Sequence, residues 1–282
     1  MILVTAANGQ LGQLVIDALL ARVPASQIVA GVRSLDKGAA IAAKGVALRA
    51  FDYNDPASID AALKGIDKLL LISGNEIGQR VRQHAAVVDA ARRAAVKHLA
   101  YTSILKADRS KLILAGEHRA TEEIIAASGI PFTFLRNGWY TENYTGSLGA
   151  TIASGALLGA AGDGAVAPAA RADYAAAAAA VLTSEGHAGK RYELAGDRAL
   201  TLSEFAAEIA AVSGKPVVYR NLAAADYAAT LHSFGLPEGF AKVLADCDEG
   251  IARGELVDTS ATLRALIGRP TTPIATTLAA AL

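Results

Sequence analysis

The stretch Ile2-Leu3-Val4-Thr5-Ala6-Ala7-Asn8-Gly9-Gln10-Leu11-Gly12-Gln13-Leu14-Val15-Ile16 constrains the fold more than any other part of the chain. A short apolar run stops at small residues, and a helical pattern begins at once. This predicts a strand, a tight turn and a helix. Backbone N–H groups and the positive end of a helix dipole then converge on one point, where a phosphate is the natural occupant. Gly9 would let the backbone approach a pyrophosphate, and Gly12 would let the helix pack closely on its strand. Against a Gly-x-x-Gly-x-x-Gly dinucleotide fingerprint, Ala6 stands where the first glycine belongs. Its methyl is tolerated if the backbone there is extended and strained if φ is positive. The expectation is weakened or slightly shifted ligand binding, not loss. An ordinary strand–helix turn without a ligand is the alternative.

The chain beyond the turn repeats the same alternation. Apolar runs at 28–32, 46–50, 68–72, 98–102 and 131–135 are separated by helix-length patterns at 37–43, 55–63, 81–95 and 112–128. Strands spaced by helices in this way imply right-handed crossovers and a parallel sheet covered on both faces. The fold class expected is therefore α/β, a doubly wound Rossmann sheet with its ligand crevice at the carboxyl ends of the strands. After Arg136 the pattern changes to a polar, aromatic segment. A glycine-rich stretch at 155–164 reads as a loop, an alanine-rich helix starts near Arg171, and a strand is expected at 190–195. Thr201 and Glu204 form a capping-box pattern ahead of a helix at 203–213. A further strand at 217–221 and helices near 224–234, 239–253 and 259–267 complete the chain. The division expected is a dinucleotide-binding domain at 1–150, to which later segments return, and a smaller, mainly helical cap at 151–282.

Composition excludes several classes of partner. Lysine plus arginine (27) equals aspartate plus glutamate (27), so no net field draws the chain to nucleic acid or an anionic membrane surface. Cys247 is the only cysteine, which rules out an intrachain disulfide and fits a reducing compartment. The first residues carry no basic leader, and no uncharged run is long enough to span a bilayer. A cytoplasmic protein is expected. His84, His98, His118, His187 and His232 show no metal-ligand spacing with Cys247 or one another, so no metal is expected.

The strand ends carry the chemistry. An NAD-selective site places a carboxylate after the second strand to hold the ribose 2′-hydroxyl. This chain has Arg33 there, with Lys37 one turn later. A guanidinium fork suits a 2′-phosphate, so NADPH is the expected cofactor. A solvated surface arginine is the plainer alternative. Asp52, after the third strand, is placed for an adenine edge or for a turn. Ser73, Gly74 and Asn75, after the fourth, are placed to line the nicotinamide ribose. His118 and Glu122 fall where a short-chain dehydrogenase has its tyrosine and lysine. His118 is thus a candidate proton donor near neutral pH, with a positioning or structural role as the alternative.

Residues 5–12, 69–73, 101–103 and Arg136-Asn137-Gly138-Trp139-Tyr140-Thr141-Glu142-Asn143-Tyr144 together resemble the NmrA-like, atypical short-chain dehydrogenase/reductase family, on its quinone-reducing side. The likeness continues through Arg171-Ala172-Asp173-Tyr174 and Leu266-Ile267-Gly268-Arg269-Pro270 and so covers almost the whole chain. It implies a flavin-free enzyme that moves a hydride from NADPH to a small quinone. The cofactor would lie on Ala6, Ala7, Asn8, Gly9, Gln10 and Leu11, with Arg33 and Lys37 on the 2′-phosphate and Asp52 near the adenine. Asn137, Gly138, Trp139, Tyr140, Thr141, Glu142 and Asn143 would close over the nicotinamide, with His118, Tyr140 and Asn137 nearest the chemistry. Two residues depart from the family pattern: Ala6 replaces a glycine, and Asn8 replaces a threonine. Rival expectations are reduction of another electron-poor acceptor, such as a triarylmethane dye, and an NADP(H)-sensing regulator without turnover. A homodimer is an open expectation.

Overall fold

A computed structural model describes residues 1–282. The first half alternates as expected: β1 (Ile2–Val4), α1 (Gln10–Leu20), β2 (Ile28–Val32), α2 (Ala39–Ala42), β3 (Ala47–Ala50), α3 (Pro56–Ala62), β4 (Lys68–Leu71), α4 (Arg80–Arg93), β5 (His98–Ile104), α5 (Ile113–Ala127) and β6 (Phe132–Asn137). The helix expected at 37–43 is shorter, with residues 36–38 forming a tight 3-10 turn before α2. Then follow α6 (Leu148–Ser154), β7 (Ala156–Gly159), β8 (Ala165–Val166), α7 (Arg171–Thr183), β9 (Lys190–Leu194), β10 (Leu200–Thr201), α8 (Leu202–Ser213), β11 (Val218–Asn221), α9 (Ala224–Ser233), α10 (Glu238–Ala252), α11 (Thr262–Ile267) and α12 (Ile274–Ala279). The stretch at 155–164 is not simply a loop. Residues 156–159 form β7, which pairs in parallel with β11 through the register Val218↔Ala156 to Asn221↔Gly159.

Seven strands form one sheet in the order β3-β2-β1-β4-β5-β6-β9. Strands β1 to β6 pair in parallel, with Ile2 level with both Ile28 and Lys68. The order reverses between β1 and β4, so the crossovers leave a crevice at their carboxyl ends. Apolar runs without alternation make these strands suited to burial on both faces. One face is filled by Leu3, Val29, Leu69, Leu71, Leu99 and Phe134 from the sheet, packed with Ile59 and Leu63 of α3 and its C-cap, and with Val87 and Val88 of α4. Asp55 caps α3 by accepting the Ala57 N–H, with Pro56 in the first turn, as the sequence signals.

The chain forms two compact, discontinuous units. The first contains residues 1–107, 117–137 and 172–192; the second contains 108–116, 138–171 and 193–282. The chain leaves the first unit for residues 108–116 and again from Gly138, and α7 from Ala172 onward returns to it with the start of β9. This return has a packing reason. Nine of the 13 residues of α7 are buried, and its run of alanines allows close approach on more than one side. In the second unit, α8 carries the expected capping box, with Thr201 accepting from Glu204 N and the Glu204 carboxylate accepting from Thr201 N. No helix is long and apolar enough to cross a membrane.

The turn after β1 decides between the two readings of Ala6. Ala6 has φ +47°, in the left-handed region, so its methyl is strained and not merely tolerated. Gly12 is required for a different reason. A Cβ there would lie 2.3 Å from Ala6 O and 2.7 Å from Ala7 Cα. Ala6→Gly should raise stability by about 1 kcal/mol by removing left-handed strain. Gly12→Ala should lower it by about 2 kcal/mol or more, because backbone atoms must move. Urea unfolding of both variants checks the opposite signs; equal stabilities would contradict the backbone geometry.

Candidate functional site

The first unit gathers its polar residues around the point where strand order reverses. The Tyr53 hydroxyl lies 2.5 Å from Ile72 O and 2.6 Å from Thr5 Oγ1, and Ile72 N–H donates to Thr5 Oγ1 at 2.9 Å. A carbonyl can only accept, so Tyr53 gives its proton to Ile72 O. The Thr5 hydroxyl then donates to Tyr53, and every group in the ring is satisfied. The ends of β1 and β4 are thereby held to the segment after β3. Burial pushes the Tyr53 phenol up, so it stays protonated at all working pH values.

The turn after β1 is closed by backbone bonds. Gly9 N–H donates to Ala6 O, and Gln13 N–H donates to Gly9 O, which closes the turn and starts α1. No side chain caps α1, so the first N–H groups of the helix are left without a cap from this chain. Asn8 gives its carbonyl to the Gln13 side chain, which leaves its own side chain outside that bond. Arg33 follows β2, and its side chain is 69 % exposed, with one nitrogen 3.9 Å from Glu76. Glu76 is shared, since it also accepts from Gln83 at 2.8 Å. Lys37 is exposed in the 3-10 turn before α2. Asp52 acts locally, where its Oδ1 accepts from Asn54 N at 2.9 Å and closes a turn.

The loop after β4 is held at both faces of one peptide. Gly74 N–H donates to His84 Nε2 at 3.1 Å, and Gly74 O accepts from Arg80 Nε at 2.6 Å. Ser73 N–H donates to Thr102 Oγ1, and Asn75 is exposed beside them. His84 accepts on Nε2, so its proton is on Nδ1, which donates to Thr121 Oγ1 at 3.0 Å; Thr121 donates onward to Glu117 O. Burial, with the Arg80 charge second, pulls His84 down to about 4. His84 and Arg80 carry no sequence signal, because a histidine inside an amphipathic helix belongs to no motif.

His118 is buried with Nδ1 2.8 Å from the Tyr101 hydroxyl. Burial first, then the charges of Arg80 and His84, hold it well below its ordinary value. It is therefore neutral at pH 7, which corrects the expectation that it titrates near neutrality. Glu122 makes a buried fork with Arg136, at 2.9 Å to Nε and 2.6 Å to Nη2, and also accepts from Ser103. It takes no part in a tyrosine–lysine arrangement. Asn137 closes β6, buried, with its carbonyl accepting from Leu105 N.

The second unit contains the rest of the expected segment. Tyr140 bridges Ala169 in parallel; Thr141 N–H donates to Ala169 O, and Ala169 N–H donates to Trp139 O. Gly138 N–H donates to Leu194 O. Both Glu142 oxygens accept from Arg171 N at 2.9 Å, so Glu142 caps α7. Residues 141–143, ending in exposed Asn143, form one 3-10 turn. The Arg171 guanidinium carbon lies 4.9 Å from the centre of the Tyr140 ring. Elsewhere in this unit, Ala160, Ala161 and Gly162 give their N–H groups to Asp248, Tyr219 and Asn221. Burial raises Asp248 to about 6.

Comparisons with known proteins show what the chain is similar to. The family described as NAD(P)H-binding matches residues 6–185. Quinone oxidoreductase 2 of Escherichia coli strain K12 is 56 % identical over 275 residues, 98 % of this chain and 96 % of that protein. The crystal structure of NADPH-dependent quinone oxidoreductase complexed with NADPH, from the same species, superposes with a TM-score of 0.96 at 55 % identity, covering 99 % of each chain. Citrobacter sp. triphenylmethane reductase complexed with NADP(H) gives a TM-score of 0.95 at 44 % identity over 100 % of both chains.

The neutral state of His84 makes stability depend on acid. Its folded ionisation near pH 4 lies below the ordinary 6.5, so between those values the unfolded chain binds more protons. Stability from this residue is present above about pH 6.5 and is lost as pH falls toward 4. His84→Gln keeps an acceptor and a donor but cannot ionise. Between pH 7 and pH 4 the wild type should lose about 3 kcal/mol relative to His84→Gln. Denaturant unfolding at both pH values checks this; a constant difference would mean that His84 is not held neutral.

Proposed function

The chain belongs to the NAD(P)H-binding family, and from that premise we propose that it is an NADPH-dependent, flavin-free reductase of quinones. One observation carries the reading most directly: near-full-length identity of more than half to a quinone oxidoreductase, joined to an arginine at the 2′-phosphate position. The residues fit the cofactor. Uncapped N–H groups at the start of α1 suit a pyrophosphate, and the exposed Arg33 fork suits a phosphate on the ribose. When bound, NADPH supplies the hydride.

The side chains orient the reactants and exclude water. Gly9, Gln10 and Leu11 hold the diphosphate by backbone, with Ala6, Ala7 and Asn8 shaping the turn. Arg33, with Lys37 nearby, discriminates NADPH from NADH by charge. Ser73, Gly74 and Asn75 form the ribose wall, kept in place by His84 and Arg80 beneath Gly74. Asn137 closes the strand that leads to the acceptor side, where Trp139 and Tyr140 offer flat apolar faces. His118 is neutral and acts by position, and the product takes its proton from solvent. We further propose a cytoplasmic location, in keeping with the absence of net charge and of any membrane-spanning helix. A dye acceptor is the second reading, favoured by the 44 % identity to triphenylmethane reductase.

The test is NADPH oxidation followed by absorbance with benzoquinone, naphthoquinone and a triarylmethane dye, beside calorimetric titration of NADPH and NADH. Purified protein should be colourless and turn over quinones. Arg33→Ala should weaken NADPH by roughly 1.5–3 kcal/mol, the scale of hydrogen bonds to a charged group, and leave NADH nearly unchanged. Equal losses for both cofactors would refute the role of Arg33. Tight NADPH binding without oxidation of any acceptor would favour a sensor.

A further inference from the structure

Residues that follow three successive strands of the first unit meet around one carboxylate. Glu76, in the loop after β4, has one oxygen fixed from the protein side. Its Oε2 accepts from Gln83 Nε2 at 2.8 Å and from Asn54 Nδ2 at 3.4 Å. Gln83 is buried in α4, and its Nε2 also donates to Asn54 Oδ1 at 3.2 Å, an oxygen that Arg82 Nη2 meets at 2.6 Å. Asn54 is set in turn by Asp52, which closes the turn after β3. The second oxygen of Glu76, Oε1, lies 3.9 Å from Nη1 of Arg33, which follows β2. Arg33 has no other acceptor in the chain, and its side chain is 69 % exposed against 42 % for Glu76. In this pair the carboxylate is therefore the held partner and the guanidinium the movable one.

We propose that Glu76 competes with the cofactor's 2′-phosphate for Arg33, and so limits the preference for NADPH over NADH that Arg33 confers. The proposal rests on the reading of Arg33 as the 2′-phosphate residue. A phosphate monoester carries a charge of about −1.5 to −2 near pH 7 and offers three acceptor oxygens. Seating that group on the Arg33 fork sets a second anion beside the Glu76 carboxylate, so the guanidinium turns from one to the other. Glu76 does not need Arg33 in return, because its bonds to Gln83 and Asn54 keep it in place when Arg33 leaves. NADH has a hydroxyl where NADPH has the phosphate, carries no charge there, and leaves the Arg33–Glu76 pair intact. The competition therefore acts only against the phosphorylated cofactor. Exposure bounds its size, since an exposed ion pair contributes up to about fivefold to an equilibrium constant. That is less than the loss expected on removing Arg33, so Glu76 trims the preference for NADPH without reversing it.

The experiment is calorimetric titration of wild type, Glu76→Gln, Arg33→Ala and the double variant. The probes are adenosine 2′,5′-bisphosphate and adenosine 5′-monophosphate, which differ only by the 2′-phosphate. Glutamine keeps a side-chain oxygen to accept from Gln83, so the loop retains its anchor and loses only the charge. Glu76→Gln should tighten the bisphosphate by about threefold and change the monophosphate by less than about 1.5-fold, the scale of one exposed ion pair. NADPH and NADH should follow the same pattern. With Arg33 already alanine, Glu76→Gln should change the bisphosphate by less than about 1.5-fold, because no guanidinium remains to be released. A purely structural role for Glu76 would shift both probes together. Equal changes for the two probes, no tightening, or the same gain in both backgrounds would overturn the proposal. Should Arg33→Ala weaken bisphosphate and monophosphate alike, Arg33 does not hold the 2′-phosphate, and the proposal falls with that reading. Discrimination that depends on Arg33 but not on Glu76 leaves the reading standing and removes only the competition.

Discussion

The closed ring of hydroxyls between Thr5, Tyr53 and Ile72 underlies the first unit's chemistry. Parallel strands β1 and β4 must separate in direction beyond their carboxyl ends to leave a crevice. Their last backbone groups would otherwise be unpaired in a dry environment, at a cost of several kcal/mol. Tyr53 solves this from the segment after β3, and Thr5 completes the circuit by accepting Ile72 N–H. The phosphate turn begins at the next residue, Ala6. A turn that starts from a fixed point can hold a left-handed alanine and a glycine in backbone contact with it.

A second layer of buried polar groups extends this rigidity to the loop after β4. His84, Thr121, Glu117 and Arg80 are connected so that Gly74 is held by both its N–H and its carbonyl. The histidines in this layer are uncharged because burial and the Arg80 charge both oppose protonation. Neutrality gives each ring one donor and one acceptor, which fixes the direction of every bond it makes. Hydride chemistry has no need of a charged imidazole, because the anion that forms can draw a proton from water. The arrangement thus suits reduction and is poorly suited to the acid–base work that the place of His118 suggested.

In the proposed reductase, charge selection between cofactors rests on Arg33. Arg33 is exposed and shares Glu76, so its preference for a phosphate is open to screening by salt. Ala169 holds the backbone on both sides of Tyr140, and Glu142 caps the start of α7.

The sequence by itself determined the alternation of strands and helices, the strand ends where polar residues gather, the Asp55 and Thr201 caps, and the arginine that stands where an NAD-selective site has a carboxylate. These follow from local rules: periodicity of two kinds, cap chemistry, and the charge at one position. Tertiary structure decided the rest. Ala6 could be read only as a missing glycine until its φ was known. β7 was hidden in a glycine-rich stretch because its pairing with β11 lies 62 residues away, from Ala156 to Val218. His84 and Arg80 carry no motif, and their meaning comes from Gly74, which the fold brings above them. His118 has the spacing of an acid but the burial of a neutral base. Spacing along the chain specifies which groups are available, whereas pKa, strain and unmet hydrogen bonds depend on solvent exclusion and on neighbours that are distant in sequence.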